Sequence, residues 1–277
     1  MSAEQVSVRF WGVRGTLPTP GPDTVHYGGN TSCVEVAIGR RSVIFDAGSG
    51  IKKLGDRLAT QGGKIDTDIL FSHCHMDHVC GIPFFTPFYE SGHQIRLWAG
   101  NLLPDGKLED AIRSLMSSPL FPIEIEAFNA QVQFRDFRAG ETLDIGGALK
   151  VRTAMLNHPG GAVGYRLDYA GKSVAYITDT EHRPGELDKS VLALVQNADL
   201  MIYDCTYTDE EFPEHVGWGH STWQQAARLA NAAQVKKLAV FHHDPDHDDA
   251  FMRKVEAEAA KVHPGAFVAR EGLVLQL

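Results

Sequence analysis

The segment 68-DILFSHCHMDHVCG-81 constrains this chain more than any other. A short apolar run ends abruptly in His73, His75, Asp77 and His78, all within six positions. The run reads as a buried strand over 68–72. His73 and His75 are two apart, so an extended backbone leaving that strand points both rings to one side. Cys74 lies between them and points away; it and Cys80 are read as structural. Asp77 and His78 follow on a turn into a new helix. Imidazoles mixed with a carboxylate suit a divalent ion. Four such groups on one loop seldom close around a single ion. Their spacing suits two ions side by side, each completed by ligands from elsewhere, so the fold must carry distant strand ends to this loop.

The rest of the chain offers such ends. Strands are expected at 6–12, 33–38, 42–48 and 68–72, and again at 149–156, 162–169, 173–178, 198–204 and 237–242. Helices are expected at 51–61 and near 107–116, 186–196, 222–233 and 248–262. Trp223, Ala226, Ala227 and Ala230 share one helical face, and Ser221 or Thr222 with Gln224 or Gln225 makes a candidate capping box. His158 in 157-NHPGG-161 follows one strand, and Asp179 in 177-ITDTE-181 ends another. His242 and His243 in 240-VFHHDP-245 end a third. Together with the loop cluster they read as a site assembled at one edge of the sheets. Strands with interleaved helices in both halves indicate an α/β (α+β) chain, two packed sheets with helices outside. No linker or low-complexity stretch divides it, so 1–277 is expected to form one domain.

Charge and composition narrow the function. Lys and Arg number 26 against 35 Asp and Glu, a net charge of −9, which argues against life on a nucleic-acid backbone. The start shows no basic-then-apolar leader, and no apolar run reaches membrane-spanning length. A cytoplasmic protein with no membrane partner is expected. Cys33, Cys74, Cys80 and Cys205 form no CxxC pair and fit free thiols in a reducing compartment.

In order along the chain, His73, His75, Asp77, His78, His158, Asp179 and His242 resemble the metallo-β-lactamase superfamily in its two-metal form. That resemblance implies an αββα sandwich, two mixed sheets flanked by helices. Asp46, in 45-FDAGSG-50, resembles the family's early aspartate, which buttresses the site without binding metal. The run 219-GHSTWQQAARLANAAQVKKLAVFHHDP-245 is similar to the end of ribonuclease Z and its phosphodiesterase relatives. Aligning those strands places the last ligand at His242, with His243 in reserve. Likewise 202-IYDCTY-207 resembles the acidic loop that pairs with the HST histidine, here Asp204 with His220. The stretch 10-FWGVRGTLPTPGPDTVHYGGNTSCVEV-36 with 217-GWGHST-222 looks like a bacterial group of such metallo-hydrolases.

The resemblance implies roles. His73, His75 and His158 would take one ion, Asp77, His78 and His242 the other, and Asp179 would bridge them. Zinc is the first choice, and the ligand set also accepts manganese or iron. A water between two cations loses a proton readily, and the hydroxide attacks phosphorus or a carbonyl. Asp77 would orient it, and His220, its ring held by Asp204, would protonate the departing oxygen.

The chain departs from ribonuclease Z at one place. His158 and Asp179 are 21 residues apart, enough for two strands and a turn but not for the long glycine- and proline-rich arm with which that enzyme grips tRNA. The expected partner is therefore a small phosphodiester, such as a cyclic nucleotide or cyclic sugar phosphate, and not tRNA. A homodimer is allowed for. The rival readings are a lactone or thioester hydrolase of the same fold and a metal-bound sensor without turnover. Residues 83–130 are expected to lid the pocket, with Phe84, Phe85, Phe88 and Tyr89 stacking on a ring or, by preference, packing the core. Arg14 is weighed as a phosphate contact against a solvated surface side chain. Asn30 is read as fixing its loop.

Overall fold

The computed structural model describes residues 4–277; residues 1–3, where the stretch read as lacking a leader begins, lie outside them. The strands form two seven-stranded sheets. The first holds β1 (Val6–Gly12), β2 (Cys33–Ile38), β3 (Arg41–Phe45), β4 (Asp66–Phe71), β5 (Gln94–Ala99) and β6 (Gln131–Asp136) in sequence order, with β14 (Val274–Gln276) beside β1. The second holds β7 (Thr142–Asp144), β8 (Lys150–Leu156), β9 (Ala162–Tyr169), β10 (Lys172–Ile177), β11 (Leu200–Asp204), β12 (Lys237–Phe241) and β13 (Ala266–Val268). Each sheet is mixed. Strands β3 to β6 run parallel, as do β10 to β13, and the remaining pairs are antiparallel.

Both faces of the central strands are covered, which explains why they read as unbroken apolar runs. In β3, Val43 and Phe45 join the cluster between the sheets, while Ile44 joins the cluster under α1 (Ile51–Gln61) and α3 (Leu108–Leu115). In β10, Val174 and Tyr176 face inward. Ala175 and Ile177 instead pack with α4 (Lys189–Val195), α5 (Trp223–Ala232) and α6 (Asp249–Val262). The result is the αββα sandwich. Each large apolar side chain so buried contributes roughly 1.5–3 kcal/mol.

The helices follow the expected spacing. Trp223, Ala226, Ala227 and Ala230 are all buried. Thr222 caps α5 by accepting from Gln225 N at 3.0 Å. The reciprocal half of the capping box is absent, because Gln225 donates its amide to Glu186 O at 2.9 Å instead. Strand β3 stops at Phe45, short of the expected 48, since Asp46 turns to φ 58°. Strands β5, β7, β13 and β14 have no counterpart in the sequence reading. Three of them are only three residues long, too short to show alternation. No helix among the described residues is long and apolar enough to cross a membrane.

Candidate metal centre

The parallel halves of the two sheets bring their carboxyl ends to one edge, and the chemistry-bearing residues sit on those ends. From the first sheet come Asp46 after β3 and His73 and His75 after β4. The four-residue helix α2 (Met76–Val79) then turns Asp77 and His78 into the interior. From the second sheet come His158 after β8, Asp179 after β10, Asp204 at the end of β11 and His242 after β12. Asp46, Asp179 and His242 adopt φ of 58°, 57° and 62°. Left-handed backbone at non-glycine residues costs of order 1 kcal/mol each and persists where the surroundings impose it, often at functional sites.

The donor atoms converge. His75 Nδ1 lies 3.1 Å from His158 Nε2, and His78 Nε2 lies 3.3 Å from His242 Nε2. Asp77 Oδ2 is 3.1 Å from His78 Nε2 and 3.2 Å from His242 Nε2. Asp179 divides its oxygens between the groups. Its Oδ1 is 3.8 Å from His73 Nε2 and 3.9 Å from His158 Nε2. Its Oδ2 is 3.2 Å from His78 Nε2 and 3.4 Å from His242 Nε2. In triads such as His73–His75–His158 and Asp77–His78–His242 the ligand atoms all lie within 4.8 Å of one another.

The far sides of the rings are pinned by residues the sequence reading did not name. Ser72 Oγ donates to Asp46 Oδ2 at 2.8 Å and so accepts from His73 Nδ1 at 3.1 Å. Asp46 Oδ2 accepts from His78 Nδ1 at 2.8 Å and from Tyr176 OH at 2.7 Å. Gly219 O accepts from His158 Nδ1 at 2.8 Å. Thr206 Oγ1 donates to Asp204 Oδ1 at 2.8 Å and accepts from His242 Nδ1 at 3.0 Å. The network therefore places a proton on Nδ1 of all four rings and turns each Nε2 toward the centre. Such outer partners fix tautomer and orientation in metal sites.

These residues fit divalent ions on the structure's own terms. His73 Nε2 is buried with no hydrogen-bond partner, and ring nitrogens face each other at 3.1 and 3.3 Å. Burial holds His73, His75 and His158 below the usual histidine range, the neutral form a metal requires, whereas at His78 the carboxylates of Asp77, Asp179 and Asp46 outweigh burial and raise the ring well above it, so a metal would have to displace that proton. Burial alone would raise the Asp179 carboxyl, but His242, His78 and His73 hold it well below the carboxylate range. Asp77 is held down in the same way by His78 and His242. Two buried carboxylates in one centre call for compensating cations.

Beside the cluster stands His220. Its Nδ1 donates to Asp204 Oδ2 at 3.0 Å and lies 3.8 Å from Asp179 Oδ1. Burial lowers its pKa, but the Asp204 carboxylate outweighs burial and pushes it up to about 9. Asp204 itself is fixed by Thr180 N and Thr206 N, each at 3.1 Å.

Other sequence candidates fall elsewhere. His243 turns away from the cluster, donating Nε2–H to Ala269 O at 2.8 Å. Arg14 is neither a phosphate contact nor a surface side chain. It is fully buried, and its guanidinium donates to the carbonyls of Gly28, Asp244 and His247 at 2.6–2.9 Å. The Asn30 amide donates to Glu271 Oε2 at 2.9 Å, tying its loop to the C-terminal segment. Phe85 and Phe88 are core residues, whereas Phe84 is 54% exposed and meets Phe121 edge-on at 5.7 Å. Cys74 packs against the core cluster under α1 and α3.

The model of the beta-lactamase superfamily domain matches residues 41–243. The chain belongs to that superfamily, and it is a metal-dependent hydrolase of its ribonuclease Z-like branch. A ribonuclease Z of Gemmatimonas aurantiaca is 24% identical over 98% of this chain and 95% of its own length. One of Parabacteroides distasonis is 32% identical over 108 residues, 39% of this chain and 33% of that protein. Among solved structures, the metallo-beta-lactamase fold protein YhfI from Bacillus subtilis is similar with a TM-score of 0.73 and 20% identity, over 99% of this chain and 100% of that one. The short form of human tRNase Z gives 0.69 and 19%, over 97% and 98%. These names overturn the expectation that set tRNA aside. The missing insertion between His158 and Asp179 removes one grip on nucleic acid, but phosphate contacts can come from any suitably charged face, so its absence excluded less than the sequence reading inferred.

Proposed function

We propose that the chain is a two-metal phosphodiesterase. His73, His75 and His158 would hold one divalent ion, zinc by preference, and Asp77, His78 and His242 the other, with Asp179 offering one oxygen to each set. Such ions, when bound, supply a nucleophilic water at neutral pH and neutralise charge on the phosphoryl oxygens. Asp77, whose Oδ2 accepts from Thr16 N at 2.8 Å, is held rigidly enough to orient that water. His220 keeps its Nδ1 proton on Asp204, leaving Nε2–H to protonate the departing oxygen.

The observation that carries the reading is the His220–Asp204 pair set against the metal cluster. A charged imidazolium there serves a poor alkoxide leaving group, as a phosphodiester has. The finer expectation is a small phosphodiester, open or cyclic.

The test is turnover of bis-p-nitrophenyl phosphate by the metal-loaded protein, with a lactone and a thioester beside it. A cyclic-nucleotide panel and a precursor tRNA follow. Diester hydrolysis is expected, and Asp179→Ala should lose both bound metal and activity. Retention of two ions by that variant would contradict the bridging role. Turnover of the carbonyl substrates alone would point to a lactone or thioester hydrolase, and silence on all three with two ions bound to a sensor.

A further inference from the structure

Trp218 lies two residues before His220, in 217-GWGHST-222. The chain has four tryptophans. Trp11, Trp98 and Trp223 are at most 9% exposed, whereas Trp218 is 62% exposed. A lone exposed apolar residue needs no explanation, but the loop beneath this one is built. Gly217 N and Gly219 N both donate to Glu181 Oε2, at 2.7 and 2.9 Å. Trp218 N donates to His215 O at 3.1 Å. The carbonyl of Gly219 accepts from the proposed ligand His158. Both glycines hold φ near +90°, and a Cβ on Gly219 would come within 2.3 Å of His158 Nδ1.

The loop therefore fixes the backbone that carries one large aromatic ring, two residues from His220, while leaving that ring open. Behind it runs a line of rings. Trp218 meets His215 edge-to-face at 5.1 Å. His215 stacks on Tyr207 at 4.2 Å, and Tyr207 meets His220 at 6.1 Å. No ring lies parallel to the indole among the described residues. An indole supported at right angles, unstacked and tied by its backbone to the proton donor and a metal ligand, is a platform for a planar group.

We infer that Trp218 is the stacking platform for an aromatic ring, a nucleobase by its chemistry, carried by the substrate beside the scissile phosphate. The inference rests on the phosphodiesterase reading and names the substrate class within it. Trp218 contacts substrate and takes no part in proton transfer.

The experiment compares adenosine 2′,3′-cyclic phosphate with ring-free glycerol 1,2-cyclic phosphate on wild type, Trp218→Ala and Trp218→Phe. Stacking on an aromatic side chain is typically lost at about five- to a hundredfold in affinity. The ratio of kcat/KM for the nucleoside over the ring-free diester should fall by that factor in Trp218→Ala, through KM, and recover largely in Trp218→Phe. Equal losses on both substrates, or none on either, would overturn the platform. So would a change of oligomeric state in Trp218→Ala, which would make the indole a contact between copies.

A second readout does not depend on turnover. The other indoles are buried, so saturable quenching of tryptophan fluorescence by adenosine 3′-monophosphate should report this ring and vanish in Trp218→Phe. If wild type cleaves no diester, the phosphodiesterase reading fails by itself. Quenching that persists in Trp218→Phe, or is absent from wild type, removes the platform whatever the activity.

Discussion

In its proposed role, His220 has to hold a proton in the resting protein and release it to an oxygen that needs one. The Asp204 carboxylate meets the first demand by raising the ring's pKa to about 9 in spite of burial, and nearby divalent cations would pull it back toward neutrality. His220→Ala should therefore keep both ions yet slow diesters with alkyl leaving groups by about 10²–10⁴-fold. On p-nitrophenyl esters, whose leaving group needs no proton, the same variant should lose little. Metal analysis together with rates across a leaving-group series checks this, and a loss independent of leaving-group pKa would discard the proton-donor role. The residues that bear this chemistry were legible because histidine and aspartate are rarely placed at several strand ends without a task. Their supports were not. Ser72, Thr206, Tyr176 and the Gly219 carbonyl belong to types that occur everywhere, and only the fold shows which of them touches a ring. Arg14 misled for a related reason. An arginine reads as a surface or phosphate-binding group until the carbonyls that surround it are seen.

Among the elements, β4 carries opposite demands at its two ends. Its carboxyl end delivers His73 and His75, while its middle buries Asp68 between neighbouring strands. Asp68 accepts from Arg96 Nε at 2.7 Å and Arg41 Nη2 at 2.8 Å, and from Trp98 Nε1 at 2.9 Å. Burial alone would raise its pKa, but Arg96, Arg41 and Trp98 bring it below the usual 3.8. A depressed carboxyl contributes stability above its unfolded pKa and loses it as the pH falls through the folded one. Asp68→Asn should thus cost about 3 kcal/mol at pH 7, leaving two guanidinium groups short of a charge. The gap from wild type should narrow toward pH 3. Urea unfolding at both pH values measures it, and a gap that stays constant would show that the carboxylate charge is not its source. Most elements around β4 were legible, because strands covered on both faces and helices with a regular apolar stripe announce themselves. The three-residue strands carry too weak a pattern. The segment 83–130, which reads as a lid, also holds β5, whose alternation in 94-QIRLWA-99 is the signal of a strand.

At the scale of the whole molecule, the candidate centre joins the two sheets. The first sheet supplies His73, His75, Asp77 and His78, and the second His158, Asp179 and His242, so each proposed ion draws on both. Between the sheets the packing is apolar and continuous, with Phe45 stacked on Tyr176 at 5.0 Å, and it reaches the centre where Tyr176 OH meets Asp46. Without ions, the edge of the sandwich holds the buried carboxylates of Asp77 and Asp179 among crowded imidazoles. With ions, the same groups would clamp the sheets together. A ligand that binds only the folded state stabilises it by about 4 kcal/mol at a thousandfold excess over Kd. For a chain of this size that is a rise in Tm of roughly 7 °C for each ion. Thermal unfolding of the metal-loaded protein before and after chelation should show this shift. Asp179→Ala should melt near the chelated wild type and respond little to added metal, since both ion sites lose the oxygen they share. A loaded and a chelated protein that melt together would mean that the centre does not tie the sheets, and the ligand set would then have to lie within a single layer.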